Sequence, residues 1–158
     1  MAETLFPVGY DEETVDVEQL TSVTSAVGFR NGVLFDEETG DFPRDGRHRL
    51  MDSTGIESWS SWVRNCIRTE RYKHRAYSSD FGIEWDRVFR AASREEAESI
   101  LTRQITEAVM ADPYKRTSYV EDIVYTWSGM ESVTLTITLH GREDVTIDVT
   151  AYITRGIA

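Results

Sequence analysis

A chain of 158 residues, 40% hydrophobic and 28% charged, has the composition of a soluble globular protein, long enough to bury a core and short enough to form one domain. Its net charge of -11 weighs against nonspecific nucleic-acid binding, which requires many phosphates to be neutralised at once. No stretch approaches the roughly 18 apolar residues that span a bilayer, and a single cysteine, Cys66, excludes a disulfide framework or a multi-cysteine metal site.

Residues 1–28 carry six acids, few large apolar groups and no periodicity, so they are expected to form an acidic extended arm, with residues 29–158 as one α+β domain. The opening stretch has no basic region followed by an apolar run, so no secretory signal is expected and the chain is expected to stay where it is made. The segment VLFDEETGDF, residues 33–42, places a turn-rich centre between apolar ends and predicts a hairpin; Arg44-Asp45-Gly46 predicts a second turn.

Thr54-Gly55-Ile56-Glu57 is a capping-box pattern, and Ile56, Trp59, Val63 and Ile67 then recur at helical spacing, predicting a helix near 54–71. Arg64, Arg68 and Arg71 lie three or four residues apart on another side of it, and the basic run continues through Lys73, His74 and Arg75. The four tryptophans are expected mostly in the core. A turn at Asp80-Phe81-Gly82 precedes a short helical piece containing Ile83, Val88 and Phe89. Ser93-Arg94-Glu95-Glu96 repeats the capping pattern and predicts a helix near 93–111, closed by Pro113.

Beyond Pro113 the period changes to two. Val133, Leu135, Ile137 and Leu139 alternate with threonines and His140, and Val145, Ile147, Val149, Ala151 and Ile153 alternate likewise. With SYVEDIVYTW as a third strand, the expectation is two main helices on an antiparallel three-stranded C-terminal meander, with strands 133–140 and 145–154 presenting edges for β-augmentation.

No nucleophile elbow, phosphate-binding loop or zincin motif is present. Three scattered histidines, His48, His74 and His140, lack metal-ligand spacing, so neither metal nor cofactor is expected. Glu70 with Asp80 or Glu84 offers a carboxylate pair for an alternative reading as a cell-wall glycan hydrolase. A local basic patch on an acidic body fits a protein partner better, although it also fits a solvated helix face.

The order GDFPRDGRHRL, W..WVRNCIRTERYKHRAYSSDFGIE and ESILTRQITEAVMADPYKR followed by three strands resembles the sheath-initiator baseplate proteins of contractile phage tails, in particular the branch found in prophages of Gram-positive bacteria, over about residues 29–155. The family's helix-end signature is matched by Thr69, Glu70, Arg71, Tyr72, Tyr77, Ser78, Asp80 and Gly82. Its Glu-Pro-Arg-like element is matched by Asp112, Pro113 and Arg116, with Tyr114 and Lys115 intervening and a shorter acid. The resemblance implies a structural, non-enzymatic protein of the virion, assembled in the host cytoplasm, that joins baseplate wedge proteins and nucleates the sheath with its terminal strands. It implies six copies per particle, sheath protein and tail tube or hub proteins as partners, and no membrane. Some relatives carry a lysozyme label, which nothing in this chain supports. The residues expected at protein interfaces are Glu70, Arg71, Arg75, Asp112, Pro113, Arg116, Val145, Ile147, Val149 and Ala151.

Overall fold

The structure, a computed structural model, describes residues 28–36 and 39–156. All of the expected arm except Gly28 therefore lies outside the described residues, as do Glu37 and Glu38 within the expected hairpin segment 33–42. The flanks of that hairpin are closed: the Asp36 amide donates to the Asp41 carbonyl at 2.9 Å, and the Asp36 carboxylate accepts from the Thr39 hydroxyl at 2.8 Å. At the second turn the Asp45 carboxylate accepts the amides of Arg47 and Arg49, the side chain taking over backbone donors that the bend leaves unpaired. Strand β1 (Gly32–Val33) pairs antiparallel with β2 (Asp52–Ser53), which leads directly into the first helix.

Helix α1 (Gly55–Arg68) begins with the expected capping box, the Glu57 amide donating to Thr54 Oγ1 at 3.2 Å and the Thr54 amide to the Glu57 carboxylate at 2.8 Å. It ends three residues before the expected position. The Thr69 backbone swings to an extended conformation because its neighbours pair with Ile83: the Arg71 amide donates to the Ile83 carbonyl and the Ile83 amide to the Thr69 carbonyl. Helix α2 (Trp85–Phe89) is the expected short piece, with Ile83 just outside it, and α3 spans Arg94–Met110. Ser93 caps α3 through the Glu96 amide, but the Glu96 carboxylate reaches one residue further back, to the Ala92 amide at 2.8 Å.

Strands β3 (Thr117–Ser128), β4 (Ser132–Gly141) and β5 (Thr146–Thr154) form an antiparallel sheet in the order β3-β4-β5. The expected α+β class and meander are thus observed, with one correction: strand 133–140 is the centre of the sheet, paired on both sides, and presents no edge. The reason is topological, since in a meander of short turns the middle strand is flanked by both neighbours. The edges are β3 and β5.

Val133, Leu135, Ile137 and Leu139 of β4 are fully buried against α1, which packs over β5, and α3, which packs over β3. The buried tryptophans are satisfied, Trp59 Nε1 donating to Thr117 Oγ1 and Trp85 Nε1 to the Ile67 carbonyl. Trp62 and Trp127 are only partly buried, at the margin of the core. Cys66 is fully buried on α1, and burial pushes its thiol up from 9.0 to about 11, against smaller opposing influences from the Gly82 backbone and the Arg71 charge. Because the folded state holds this proton more tightly than the unfolded chain does, the associated stability is complete below pH 9 and is lost as pH rises through about 11. Chemical denaturation between pH 8 and 11 is therefore expected to show wild type losing stability relative to Cys66→Ala, by about 2 kcal/mol at the top of the range. Parallel curves for the two proteins would contradict this.

Candidate protein-interaction surfaces

Three local arrangements bring the expected site residues together. The first is the loop that follows α1. Arg71 sits at its neck and is only 8% exposed. Its Nε donates to the Gly82 carbonyl at 2.8 Å, Nη2 lies 3.5 Å from the carbonyls of Asp80 and Gln104, and Nη1 is 3.4 Å from Glu107 Oε2. Gly82 adopts φ +93, and a Cβ there would lie 2.7 Å from the Thr69 carbonyl oxygen, so glycine is required where the loop returns. Arg71 thus ties the loop to α3, and it is Lys73, His74 and Arg75 that are exposed beyond it. Glu70, half-buried, pairs with Ile83 through a parallel bridge, and desolvation pushes its carboxyl above the usual range.

Glu70 and Glu84 line an open groove of about 630 Å³ together with Asp86, Arg87, Arg90 and Glu96, whereas Asp80 is not among its lining residues. The Glu84 carboxylate accepts from Gln104 Nε2 at 3.0 Å, and the Glu84 amide donates to Gln104 Oε1 at 2.8 Å. Gln104 is fully buried and joins α3 to the entry of α2. Sequence reading missed it; its only signal was a polar residue within the stripe of Leu101, Ile105 and Ala108.

The second arrangement is the element after α3. The Asp112 side chain is fully buried and accepts the Arg116 guanidinium in two contacts, Nε to Oδ2 at 2.8 Å and Nη2 to Oδ1 at 3.0 Å. It also accepts the backbone amides of Arg116 and Tyr114, which holds the turn around Pro113. The guanidinium lies 5.7 Å from the Trp62 ring centre and 5.2 Å from that of Tyr114. The acid and the displaced arginine therefore form one internally closed unit, leaving Pro113 and Tyr114 exposed.

The third is the edge of β5. The β4–β5 register runs without interruption from Ser132↔Thr154 to His140↔Thr146. Just beyond its ends the Gly141 amide donates to the Val145 carbonyl and the Arg155 amide to the Glu131 carbonyl. Antiparallel partners alternate between hydrogen-bonded and non-bonded pairs, so the odd-numbered residues of β5 bond to β4. The outward-directed backbone groups belong to Thr146, Asp148, Thr150, Tyr152 and Thr154. Of the expected contacts here, Val149 and Ala151 have buried side chains, Val145 and Ile147 are partly buried, and all four fall in the set that faces β4. By contrast β3, the other edge, carries register shifts between Thr117 and Tyr119 and between Val120 and Asp122, the kind of irregularity that blunts an edge.

A small α+β protein with an uninterrupted open sheet edge and an aromatic, positively charged helix end is the class these features define. The family model for the contractile injection system sheath initiator matches residues 32–144, more than half of the chain, and the protein belongs to that family. A comparison with curated proteins gives no match. Membership gives the chain a structural role in a contractile tail, in contact with sheath and baseplate components, and a tail or baseplate location. Among the described residues no helix is long and apolar enough to cross a membrane.

Removing Asp112 strands a buried guanidinium and uncaps two amides, so Asp112→Ala is expected to cost about 3–5 kcal/mol in urea unfolding. The double variant Asp112→Ala/Arg116→Met is expected to recover part of that loss, because it removes the unpaired charge as well. Equal stabilities for the double and single variants would show that the turn amides, rather than the ion pair, dominate.

Proposed function

We propose that this protein joins the baseplate wedge of a contractile tail and nucleates sheath polymerisation by offering β5 to strands of the first sheath ring. The carrying observation is the β5 edge: nine residues in regular register, its alternate backbone groups directed away from the sheet, at the end of the meander. A strand added there gains a ladder of main-chain hydrogen bonds that is tolerant of side-chain identity. Wedge proteins meet the opposite device, the exposed Lys73, His74 and Arg75 together with Glu70 and the Pro113 turn, while Arg71, Asp112 and Arg116 hold those elements in place from within. Residues 29–158 act as one unit, six copies surround the tail, and tube or hub proteins lie within reach. The site of action is the virion baseplate, assembled in the host cytoplasm.

No observation favours the glycan hydrolase. Glu70 and Glu84 share a groove, but the Glu84 carboxylate is tied to Gln104, and Asp80 is not among the residues lining that groove.

Thr150 offers a clean test, because its N–H points to the free edge rather than to β4, and proline there removes a donor without breaking the internal ladder. Particles carrying Thr150→Pro are expected to assemble baseplates but no extended sheath, as counted by negative-stain microscopy, while Thr150→Ser matches wild type. Circular dichroism and thermal unfolding of the purified variant are expected to remain near wild type. Sheaths of normal length on particles with a folded Thr150→Pro protein would overturn the β5 assignment.

A further inference from the structure

A strand added beside β5 has to find its register, and a ladder of main-chain hydrogen bonds does not by itself supply one. On the helix-covered face the edge offers Ile147, Val149, Ala151 and Ile153, all of them aliphatic. A slip of one residue would turn the apolar set of the added strand outward and is excluded, whereas a slip of two keeps every face and, except at the ends, every backbone donor matched. The open face repeats as well. Thr146, Thr150 and Thr154 recur every four residues, with Tyr152 between the last two. The remaining position is Asp148, the one charge among the five outward-directed residues of the strand.

Asp148 is exposed, and its carboxylate is held in place. Thr138 of the central strand, its cross-strand partner, donates its hydroxyl to Oδ1 at 2.7 Å, and among the described residues no cation pairs with the carboxylate. In either strand direction a residue of the added strand stands about 5 Å away on the same face, within reach of a Lys or Arg side chain. Opposite charges directly across a ladder attract and like charges repel, so this position both selects and rejects. Asp122 offers a matched comparison. It pairs with Thr138 from the other side, on β3, about 10 Å from Asp148 and about 15 Å from an added strand. That is beyond the screening length of roughly 8 Å at physiological salt.

We propose that Asp148 sets the register of the sheath strand that adds to β5, by pairing with a Lys or Arg on the open face of that strand. This role rests on the strand addition proposed above. The partner strand it fits alternates aliphatic residues toward the helices with polar ones toward solvent, a single basic residue standing opposite Asp148.

Particles assembled with limiting sheath protein test this, scored by negative-stain microscopy for the fraction of baseplates that carry sheath. Asp148→Asn, which keeps an acceptor for Thr138, is expected to lower that fraction about twofold to fivefold and Asp148→Lys about tenfold, while Asp122→Asn matches wild type. Both Asp148 variants are expected to unfold close to the wild-type temperature, because the side chain is exposed. Should Asp148→Lys fold poorly, the comparison of Asp148→Asn with Asp122→Asn decides the outcome. Second-site changes that restore sheath to Asp148→Lys are expected to replace a Lys or Arg of the sheath protein by Asp or Glu. Asp148 variants with a normal sheathed fraction, where Thr150→Pro still forms no sheath, would overturn the register assignment and leave strand addition standing. Normal sheath with Thr150→Pro as well would overturn both. An equal loss from Asp122→Asn and Asp148→Asn would show a diffuse charge effect and overturn the pairing.

Discussion

The arrangement of this protein depends on one buried cation. Arg71 leaves the end of α1 and gathers carbonyls from Asp80, Gly82 and Gln104 and a carboxylate from Glu107, so that one guanidinium joins a helix end, a returning loop and a second helix. A guanidinium suits the position because its planar donors can satisfy several acceptors at once and it stays charged when buried. Everything exposed around it follows from that closure. The loop it holds presents the basic residues 73–75, its far side supplies Tyr77 and Phe81 to an aromatic groove, and Ile83 returns to pair with Glu70 and lead into α2.

The Asp112–Arg116 pair repeats the device at the other end of α3. In both places a charge that resembles a docking group in the linear sequence is turned inward and consumed by backbone and side-chain partners. Breaking such a pair is costly while its net contribution is small, so its role is to specify a geometry rather than to add stability. The residues next to each pair, Arg75 in one case and Pro113 with Tyr114 in the other, are left exposed.

The sheet solves a different problem. An edge strand is a hazard in most proteins, and β3 carries two register shifts in its first half, between Thr117 and Asp122. No such interruption occurs along β5. The two edges therefore differ in regularity, and the proposed strand addition at β5 rests on that asymmetry.

Local rules determined much of this in the sequence itself. The capping patterns at Thr54 and Ser93 located both main helices, although only the one at Thr54 closes as a reciprocal box, because hydroxyl and carboxylate spacing along a chain is itself a hydrogen-bonding pattern. The strict alternation in 133–153 announced two half-buried strands, because side-chain parity in a strand is fixed by the pleat. Two things needed the tertiary structure. Alternation identifies which side chains face the core, but which backbone groups face the neighbour depends on how the Gly141–Val145 turn closes, and that closure hands the free edge to Thr146, Asp148, Thr150, Tyr152 and Thr154 rather than to the apolar set. Likewise, the spacing of Arg64, Arg68 and Arg71 placed three charges along a helix, but the helix ends at Arg68. Whether Arg71 then meets solvent or the carbonyls of a loop eleven residues away is decided by the packing of α3, a long-range contact that leaves no trace in local periodicity.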